Sequence, residues 1–589
     1  MYHVVKAARV LFGLLAVTAC VTCGPPALPP GSPDNGGLAL PDGFEAVVLH
    51  DGVGRARHLA VTEDGIVYVK LRVPNPKGLV ALRDTSGDGR ADDVEVFGDY
   101  SDTGDYGTAM RIHDGYLYFS TAGEVYRQRI MPGRLVPTGD VQLILTHNYK
   151  ASRQSYEHIA KPVSFDDRGH MYVPFGAPGD SCQEVNRRPA SPGQDPCREL
   201  EWQAGIWQFD ANRQGQTERD GRRYATGIRS VVAMAWNRQV GQLYALQHGR
   251  DDLYRSWSQF YSRWQSAVLP SEEFFKVTDG FDGGWPYYYY DQMQGKKLLN
   301  PEYGGDGMKV ARGSELEKPL VGFPGHWAPN DLLFYDGDQF PERYRRGAFI
   351  AFHGSTIRMP YSQAGYFVAF VPFEVGEPSG PWEVFADGFA AVDPIGNTSN
   401  AAARPMGLAQ GPDGSLYVSD SINGKIWRVM YKGNRGSFGA AQLARMDARK
   451  HQAHIRTPDE EKDVLGRDVV EAGAKLYDKY CVTCHQRDGK GDGGRFPSLV
   501  STGWVSGNKS RLISLVLNGL QGEIDVEGKK FNGVMPPHAF LSDEQIAQLL
   551  TFLRQNFGNH ANPVEAAEVA EVRARPSTRA ITQTGPLQH

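Results

Sequence analysis

The chain contains 589 residues and carries a formal net charge of -5 at pH 7. Its length leaves room for more than one domain, and the slightly acidic balance argues against nucleic-acid binding, for which a basic face would be expected. With 41% hydrophobic residues, the composition is that of a folded protein rather than a disordered one.

The amino-terminal residues predict an exported protein. Lys6 and Arg9 precede an apolar run over residues 10–17, which is long enough for the core of a signal peptide and too short to span a bilayer. The end of this run also resembles a bacterial lipobox, in which Cys20 would be acylated after removal of residues 1–19; ordinary signal cleavage is the alternative. We therefore expect a periplasmic protein that is lipid-anchored to a bacterial membrane, with a Pro/Gly-rich tether over residues 20–41.

Residues 42–431 contain a repeat of strand, Asp/Gly turn and strand. In the copy at residues 59–69, Glu-Asp-Gly separates two alternating apolar runs. The other copies occupy residues 109–119, 163–173, 233–246, 332–352 and 406–419. Six such units with no helical periodicity between them predict an all-β six-bladed β-propeller. Residues 44–49 are expected to supply a strand that closes the ring.

An acidic insertion in the first repeat matches the spacing of a calcium-binding loop. Oxygen-bearing residues at alternate positions can converge on one ion. The flanking residues read as strands, so we expect a structural clamp on a blade connection rather than a sensor; an acidic β-turn is the alternative. The predicted ligand positions are Asp84, Ser86, Asp88, Arg90, Asp92 and Glu95.

Two cysteines inside the repeat region predict a disulfide. Cys182 and Cys197 are separated by a polar segment that contains Pro and Gly. In an oxidising compartment such a pair is expected to close a loop.

The sequence Cys-Val-Thr-Cys-His at residues 481–485 predicts covalent attachment of a c-type heme. Cys481 and Cys484 would bond the porphyrin, and His485 would bind the iron. Structural zinc uses the same cysteine spacing but needs a second ligand pair, which does not follow. Met535, stiffened by two following prolines, is the candidate sixth ligand, with His538 as its competitor. A Met/His pair leaves no open position on the iron and suits electron transfer.

The residues around this motif predict a small all-α cytochrome c domain over residues 464–559. A helix through Gly473 and Tyr477 leads into the heme cysteines, and a capping box at Ser542 and Gln545 begins a closing amphipathic helix. We expect residues 432–463 to be a linker. The tail over residues 560–589 has few apolar residues and is expected to be disordered.

Several stretches of the propeller resemble the PQQ-dependent glucose/sorbosone dehydrogenase family, in which fusion to a c-type cytochrome is known. The resemblance is distributed over many blades, at residues 225–229, 247–253, 283–287, 351–355 and 404–409. The chain departs from the family pattern at Ser230, Thr356 and Ile357, which are expected to shape the cofactor pocket.

The resemblance implies roles for particular residues. His158 corresponds to the family's catalytic base, which takes the substrate hydroxyl proton as hydride moves to the quinone. The other implied roles are PQQ binding by Arg229, Arg358 and Arg404, backbone binding of a calcium ion at the PQQ by Gly249 and Arg250, and substrate contact by His326, Trp327 and Asn330. Arginines in propellers also form ion pairs between blades, and an isolated His is often structural.

These observations predict a periplasmic quinoprotein dehydrogenase. It would oxidise a sugar, polyol or sugar aldehyde with PQQ and calcium, and pass electrons singly through its own heme c to a downstream acceptor. The alternative is a non-catalytic propeller that binds a carbohydrate or a protein and carries an electron-transfer cytochrome. Hydrolysis on a calcium-bearing propeller is a third possibility, but it gives the heme no task.

Overall fold

The computed structural model describes residues 28–73, 77–98, 108–148, 157–310, 318–460, 467–559, 561 and 563–575. The expected signal peptide, Cys20 and the first part of the tether lie outside these residues. Among the helices of the described residues, none has the length and apolar character needed to cross a membrane.

The first strand, β1 (Phe44–His50), precedes six sheets that are consecutive in the chain. The first three blades consist of β2 (Ala56–Val61), β3 (Val67–Leu71), β4 (Leu79–Arg83) and β5 (Asp93–Phe97); β6 (Met110–His113), β7 (Tyr116–Ser120), β8 (Glu124–Arg129) and β9 (Thr138–Thr146); and β10 (Ser164–Phe165), β11 (His170–Phe175), β12 (Gly205–Asp210) and β14 (Arg222–Thr226). The short strand β13 (Gln216–Thr217) runs parallel to β9.

The last three blades have the same plan with added strands. They consist of β15 (Val231–Asn237), β16 (Gln242–Gln247), β17 (Glu272–Val277) and β21 (Val321–Phe323); β22 (Pro329–Phe334), β23 (Gly347–Phe352), β24 (Phe367–Glu374), β25 (Glu377–Pro378) and β26 (Glu383–Ala386); and β27 (Pro405–Gln410), β28 (Leu416–Asp420) and β29 (Ile426–Tyr431). The additions are β18 (Phe281–Asp282), which pairs with β14, and a hairpin of β19 (Tyr288–Asp291) and β20 (Lys296–Leu299).

The predicted six-bladed propeller is therefore confirmed. Each sequence repeat forms the first two strands of a blade. The first strands contact one another from blade to blade, for example β2 with β6 and β27, as radially arranged sheets require. The turn between β6 and β7 shows why Asp-Gly recurs: Asp114 and Gly115 both have positive φ, at 47° and 75°, which a tight hairpin turn needs.

The ring is closed by the strand from the chain's beginning. β1 pairs antiparallel with β29, with Phe44 opposite Tyr431, and completes the sixth blade. The Phe44 ring lies 4.9 Å from that of Phe340 and 5.1 Å from that of Phe385 in a buried aromatic cluster. Burial of one such side chain contributes about 1.5–3 kcal/mol, so the closure is held by packing as well as by backbone hydrogen bonds.

Helices of the propeller region are few and lie in connections. The strands β16 and β17 are joined through α1 (Leu253–Trp257) and α2 (Arg263–Val268), and the linker contains α3 (Ala440–Asp447). Short 3-10 turns span Asn35–Gly37, Arg198–Glu201, Glu218–Asp220, Pro301–Tyr303, Glu342–Tyr344, Thr398–Asn400, Arg435–Ser437 and Ala448–His451.

The carboxyl-terminal domain is helical, with one hairpin that the sequence did not predict. Its elements are α4 (Arg467–Tyr480), α5 (Val482–His485), α6 (Gly503–Ser506), α7 (Lys509–Asn518), β30 (Leu520–Val526), β31 (Lys529–Met535), α8 (Asp543–Gln555) and α9 (Ala566–Ala574). A Cβ atom on Gly473 of α4 would lie 2.2 Å from the carbonyl oxygen of Gln548, so this glycine lets α4 and α8 cross closely.

The expected disorder of residues 560–589 is wrong for the described part of that tail. Helix α9 buries Val569 completely, and Val564 before it is 2% exposed, within the core that also contains Leu550. Lys509 binds Glu568 at 2.9 Å. Two well-placed valines therefore suffice to dock a short helix whose overall composition is polar.

Candidate functional site

The heme motif lies at one wall of an apolar cleft in the helical domain. Cys481, Cys484 and His485 line the cleft together with Met535, and neither cysteine is in a disulfide. The other lining side chains are mostly apolar, including Leu512, Leu515, Val516, Ile524, Phe531, Leu549 and Leu553. Two free thiols, a His and a Met around one apolar cleft fit a covalently attached heme.

Both predicted iron ligands are held by backbone structure. The Nδ1–H group of His485 donates a hydrogen bond of 3.0 Å to the carbonyl oxygen of Pro497, so Nε2 is the nitrogen left for iron. Met535 is the last residue of β31 and lies opposite Leu520 in the hairpin. The competing ligand His538 also lines the cleft.

A second cavity, of about 300 Å³, lies at the centre of the propeller and is called the basin here. Its volume falls at the lower end of the range for small-molecule sites, about 300–1,000 Å³. The basin lies at the end of the propeller where the first strands of the blades begin and their second strands end. Its lining residues are Arg57, Arg72, Glu157, His158, Ile159, Ala160, Ser230, Val232, His248, Ala328, Asn330 and His353.

Two histidines of the basin each keep one ring nitrogen available. The Nδ1–H group of His158 donates to the carbonyl oxygen of Ala177 at 2.7 Å, and the Nε2–H group of His248 donates to that of Pro329 at 2.8 Å. Burial, and then the charge of Arg229, lowers the pKa of His158 well below 6.5; burial lowers the pKa of His248 to about 4. Both rings are therefore neutral at pH 7, with His158 Nε2 and His248 Nδ1 as possible proton acceptors.

Both ring nitrogens of the third basin histidine, His353, are hydrogen-bonded within the protein. Arg404 donates to Nδ1 of His353 at 2.9 Å, and Nε2–H of His353 donates to Oγ of Ser421 at 2.7 Å. Burial and the charges of Arg404 and Arg57 hold the pKa of His353 well below 6.5. Arg404 thus lies beside the basin, close enough to Arg72 for the two charges to interact.

Charged side chains also line the basin. Arg57, Arg72 and Glu157 are among its lining residues, and Glu157 is bound to Arg187 at 2.8 Å. A cavity with fixed cations and neutral histidines fits a planar polycarboxylate such as PQQ.

Sequence analysis missed four basin residues, Arg57, Arg72, His248 and His353. Only the two histidines had a signal in the sequence, since they lie in the Gln-His-Gly and Phe-His-Gly stretches of the family resemblance.

Arg229 lies next to the basin but is bound to carboxylates. Its Nη2 atom is 2.5 Å from Oδ1 of Asp180 and 3.5 Å from Oδ2 of Asp251, and its Nη1 atom donates to the carbonyl oxygen of Gly249 at 2.8 Å. Burial acts to raise the pKa of Asp180, but the surrounding arginines, Arg229 first, hold it well below its usual value. Arg229 therefore has a structural role in this arrangement, and direct PQQ contact would require it to leave these partners.

One of the two backbone carbonyls predicted to bind calcium at the basin already has a hydrogen-bond donor. The carbonyl oxygen of Gly249 accepts a hydrogen bond from Arg229, so the guanidinium cation of Arg229 already lies against this oxygen. The side chain of Arg250 binds Glu302 at 2.5 Å and both groups are buried. A calcium ion on the Gly249 carbonyl would face a guanidinium at short range, which is unfavourable.

Of the other residues assigned by resemblance, only Asn330 lines the basin. Arg358 is fully buried and donates through Nε to the carbonyl oxygen of Ala267 at 3.0 Å. His326 is 4% exposed and its Nε2–H group donates to Ser266 at 2.9 Å. Trp327 is fully buried in an aromatic core and does not line the basin.

The acidic insertion does not gather its carboxylates around one point. Asp84 accepts the backbone N–H groups of Gly87 and Gly89, at 2.7 and 2.8 Å, and Asp92 accepts that of Thr85 at 3.0 Å. Across the described residues, no three His, Cys, Asp or Glu side chains converge as a metal site would require. In this arrangement the loop has the hydrogen bonds of an acidic β-turn, and the calcium clamp stays a prediction.

The predicted disulfide is confirmed. Cys182 and Cys197 are bonded, with their Cα atoms 6.1 Å apart. The bond closes a loop next to Asp180 and so supports the carboxylate that holds Arg229.

Comparison with known families separates the chain into the same two parts. Residues 99–358 match the Glucose / Sorbosone dehydrogenase family, residues 306–432 match TrAA12-like, and residues 470–557 match Cytochrome c. Cytochrome c-552 of Thermus thermophilus is 40% identical over 117 residues, which cover 18% of this chain and 87% of that protein.

Two further comparisons are informative. The fructose dehydrogenase cytochrome subunit of Gluconobacter japonicus is 38% identical over 108 residues, which cover 17% of this chain and 22% of that protein. The holo pyranose dehydrogenase PQQ domain of Coprinopsis cinerea superposes with a TM-score of 0.51 at 18% identity, covering 67% of this chain and 97% of that domain, and shares the fold.

The chain is thus a two-domain redox protein, a propeller followed by a heme c domain. Its propeller contains the match to the Glucose / Sorbosone dehydrogenase family over residues 99–358, and its carboxyl-terminal domain belongs to the cytochrome c family.

Proposed function

We propose that this protein is a PQQ-dependent dehydrogenase that oxidises a sugar, polyol or sugar aldehyde and delivers the electrons to its own heme. The observation that carries the proposal is the basin, where two arginines and two neutral histidines surround a cavity of about 300 Å³. The shared fold with a pyranose dehydrogenase PQQ domain supports it. When bound, PQQ would take up two electrons from the substrate, and the heme would carry them away one at a time.

The arginines would hold the cofactor. Arg57 and Arg72 line the basin, and Arg404 lies behind His353. Guanidinium groups bind carboxylates in a fixed, often bidentate geometry. Arg57 and Arg72 would partly compensate the negative charge of PQQ, and the charge of Arg404 would add to their field while its own donors stay on His353 and Gly354.

His158 would accept the substrate's hydroxyl proton through Nε2. Its hydrogen bond to Ala177 fixes the tautomer, because a carbonyl oxygen can only accept. In the protein alone the pKa of His158 is too low for an effective base. Burial, the larger cause, would remain, but a polycarboxylate in the basin would counter the charge of Arg229 and so raise this pKa, which favours proton transfer to His158.

The surroundings of both sites suit an exported protein. A closed disulfide and covalently attached heme are features of oxidising compartments, and we propose a periplasmic location. Attachment to the membrane through a lipid on Cys20 remains part of this proposal.

Heme reduction provides the test. PQQ, with and without calcium, is added to heme-loaded protein, a panel of aldoses, polyols and aldehydes is supplied, and the heme spectrum is followed. We expect at least one substrate to reduce the heme only when PQQ is present. If PQQ binds and no substrate reduces the heme, the non-catalytic binding propeller is the better description; absence of PQQ binding overturns the proposal.

A further inference from the structure

The last described residues of the linker are bound to the propeller through a buried charged contact. We call residues 453–460 the docking segment. His454 is 3% exposed, and its Nδ1 and Nε2 atoms lie 2.9 Å from carboxylate oxygens of Asp393 and Asp387, respectively. The backbone N–H groups of Ala453 and His454 also donate to Asp393, at 3.1 and 3.2 Å. Arg449 adds a second ion pair to Asp387.

The rest of the docking segment is held by packing and by two side-chain donors. Ile455 is 2% exposed within a propeller core cluster. Nε1–H of Trp264 donates to the carbonyl oxygen of Pro458, and the hydroxyl of Tyr361 donates to that of Glu460, both at 2.6 Å. The linker is therefore a docked element up to residue 460.

The three connections that hold the docking segment also build the basin. These are the connections between β16 and β17, between β23 and β24, and between β26 and β27. Each one contributes a residue at or beside the basin and a residue against the docking segment. The pairs are His248 and Trp264, His353 and Tyr361, and Arg404 and Asp387.

We infer that the docking segment is a positioning element for electron transfer, which fixes the attachment point of the heme domain on the face of the propeller that contains the basin. Arg467, the first residue of α4, follows Glu460 by seven positions. Even a fully extended chain of that length spans about 25 Å at most. The inference rests on the proposed function, because the electrons that this arrangement serves come from the basin.

The first experiment does not depend on the proposed function. Hydrogen exchange of residues 453–460 is measured by mass spectrometry in heme-loaded full-length protein without substrate. The double variant Trp264→Phe/Tyr361→Phe removes both donors and keeps the aromatic rings, and we expect exchange to accelerate roughly tenfold. His454→Gln is a second, independent variant, and His451→Gln, an exposed histidine of the same linker, is the matched control. Exchange equal to that of the wild type in both the double variant and His454→Gln would overturn the docking.

The second experiment asks whether docking serves electron transfer. In PQQ-loaded protein, heme reduction by substrate is followed after rapid mixing, and turnover is measured in parallel with a soluble dye that accepts electrons from the propeller directly. We expect the double variant to reduce its heme roughly tenfold more slowly, with dye turnover unchanged. Unchanged heme reduction, or an equal fall in both rates, would overturn the positioning role. If wild-type protein reduces neither heme nor dye, the proposed function fails, while hydrogen exchange still decides whether the segment is docked.

Discussion

The heme cleft and the basin differ in the side chains that line them and in how far apart those side chains lie in the sequence. The cleft is lined by apolar side chains from one continuous domain, and its thiols and His come from five consecutive residues. The basin is lined by arginines, histidines and an asparagine that come from blades far apart in the sequence. An apolar cleft shields a group that only exchanges electrons, whereas a charged basin can bind an anion and move a proton.

The largest effect is expected at the cleft, where the bond to the cofactor is covalent. The double variant Cys481→Ser/Cys484→Ser should contain no covalently bound heme, because both attachment atoms are gone. The measurement is heme absorbance that stays with the denatured polypeptide. The control Cys182→Ser/Cys197→Ser should keep its heme, and retention of heme by the first variant would refute the assignment.

The next effect separates the two available histidines of the basin. If His158 is the base, His158→Ala should lower kcat of substrate-dependent dye reduction by roughly 10²- to 10⁴-fold, the usual contribution of general base catalysis. PQQ binding should change little, and His248→Ala, at the other basin histidine with an available ring nitrogen, is the matched variant. A large loss in His248→Ala with none in His158→Ala would exchange their roles.

The charge of the basin predicts a smaller effect on cofactor affinity. Arg72→Gln should weaken PQQ binding roughly 10- to 100-fold, since a hydrogen bond to a charged group contributes about 1.5–3 kcal/mol. Titration of PQQ into the apo propeller measures it. Arg238→Gln, on an exposed arginine that follows β15, should bind PQQ as the wild type does; equal weakening in both variants would point to a general charge effect instead.

The disulfide predicts a change in stability without a change in chemistry. The bond closes a 15-residue separation, for which loss of the cross-link costs about 3 kcal/mol. Chemical denaturation of Cys182→Ser/Cys197→Ser should therefore show a lower unfolding free energy for the propeller. An unchanged midpoint would show that the loop around Asp180 is held by its other contacts.

The smallest effect concerns the docking segment at alkaline pH. Burial acts to lower the pKa of His454, but its hydrogen bonds to Asp387 and then Asp393 raise it from 6.5 to about 9. Because the folded pKa exceeds the unfolded one, the stabilisation is fully present below pH 6.5 and is lost as pH rises through 9. Hydrogen exchange of the docking segment should accelerate over this range by an amount equivalent to roughly 1–3 kcal/mol. The intrinsic pH dependence of exchange is corrected with His454→Gln, measured under the same conditions. A corrected exchange rate that does not change with pH would contradict the prediction.

Predictions from the sequence succeeded where the signal was local. The strand-turn-strand repeats predicted the six blades, the heme motif and the capping box at Ser542 predicted the cytochrome domain, and one cysteine pair predicted the disulfide. Each of these depends on residues that are close in sequence or on a regular period.

The sequence was least informative where function depends on convergence. Spacing at residues 84–95 suggested calcium ligands, but Asp84 and Asp92 are used by the turn's own backbone N–H groups. Arg57 and Arg72 line the basin only because the first blade closes against its neighbours. The sequence equally gave no sign that Asp180 holds Arg229, since that contact joins two blades.

The pairing of β1 with β29 also sets the order in which the protein can be completed. Closure of the ring requires both the first and the last strand of the propeller. The sixth blade is therefore incomplete until the chain has been synthesised as far as Tyr431. Such long-range pairing folds slowly. A product that stops before β29 would display β1 as an unmatched edge and invite association with other chains.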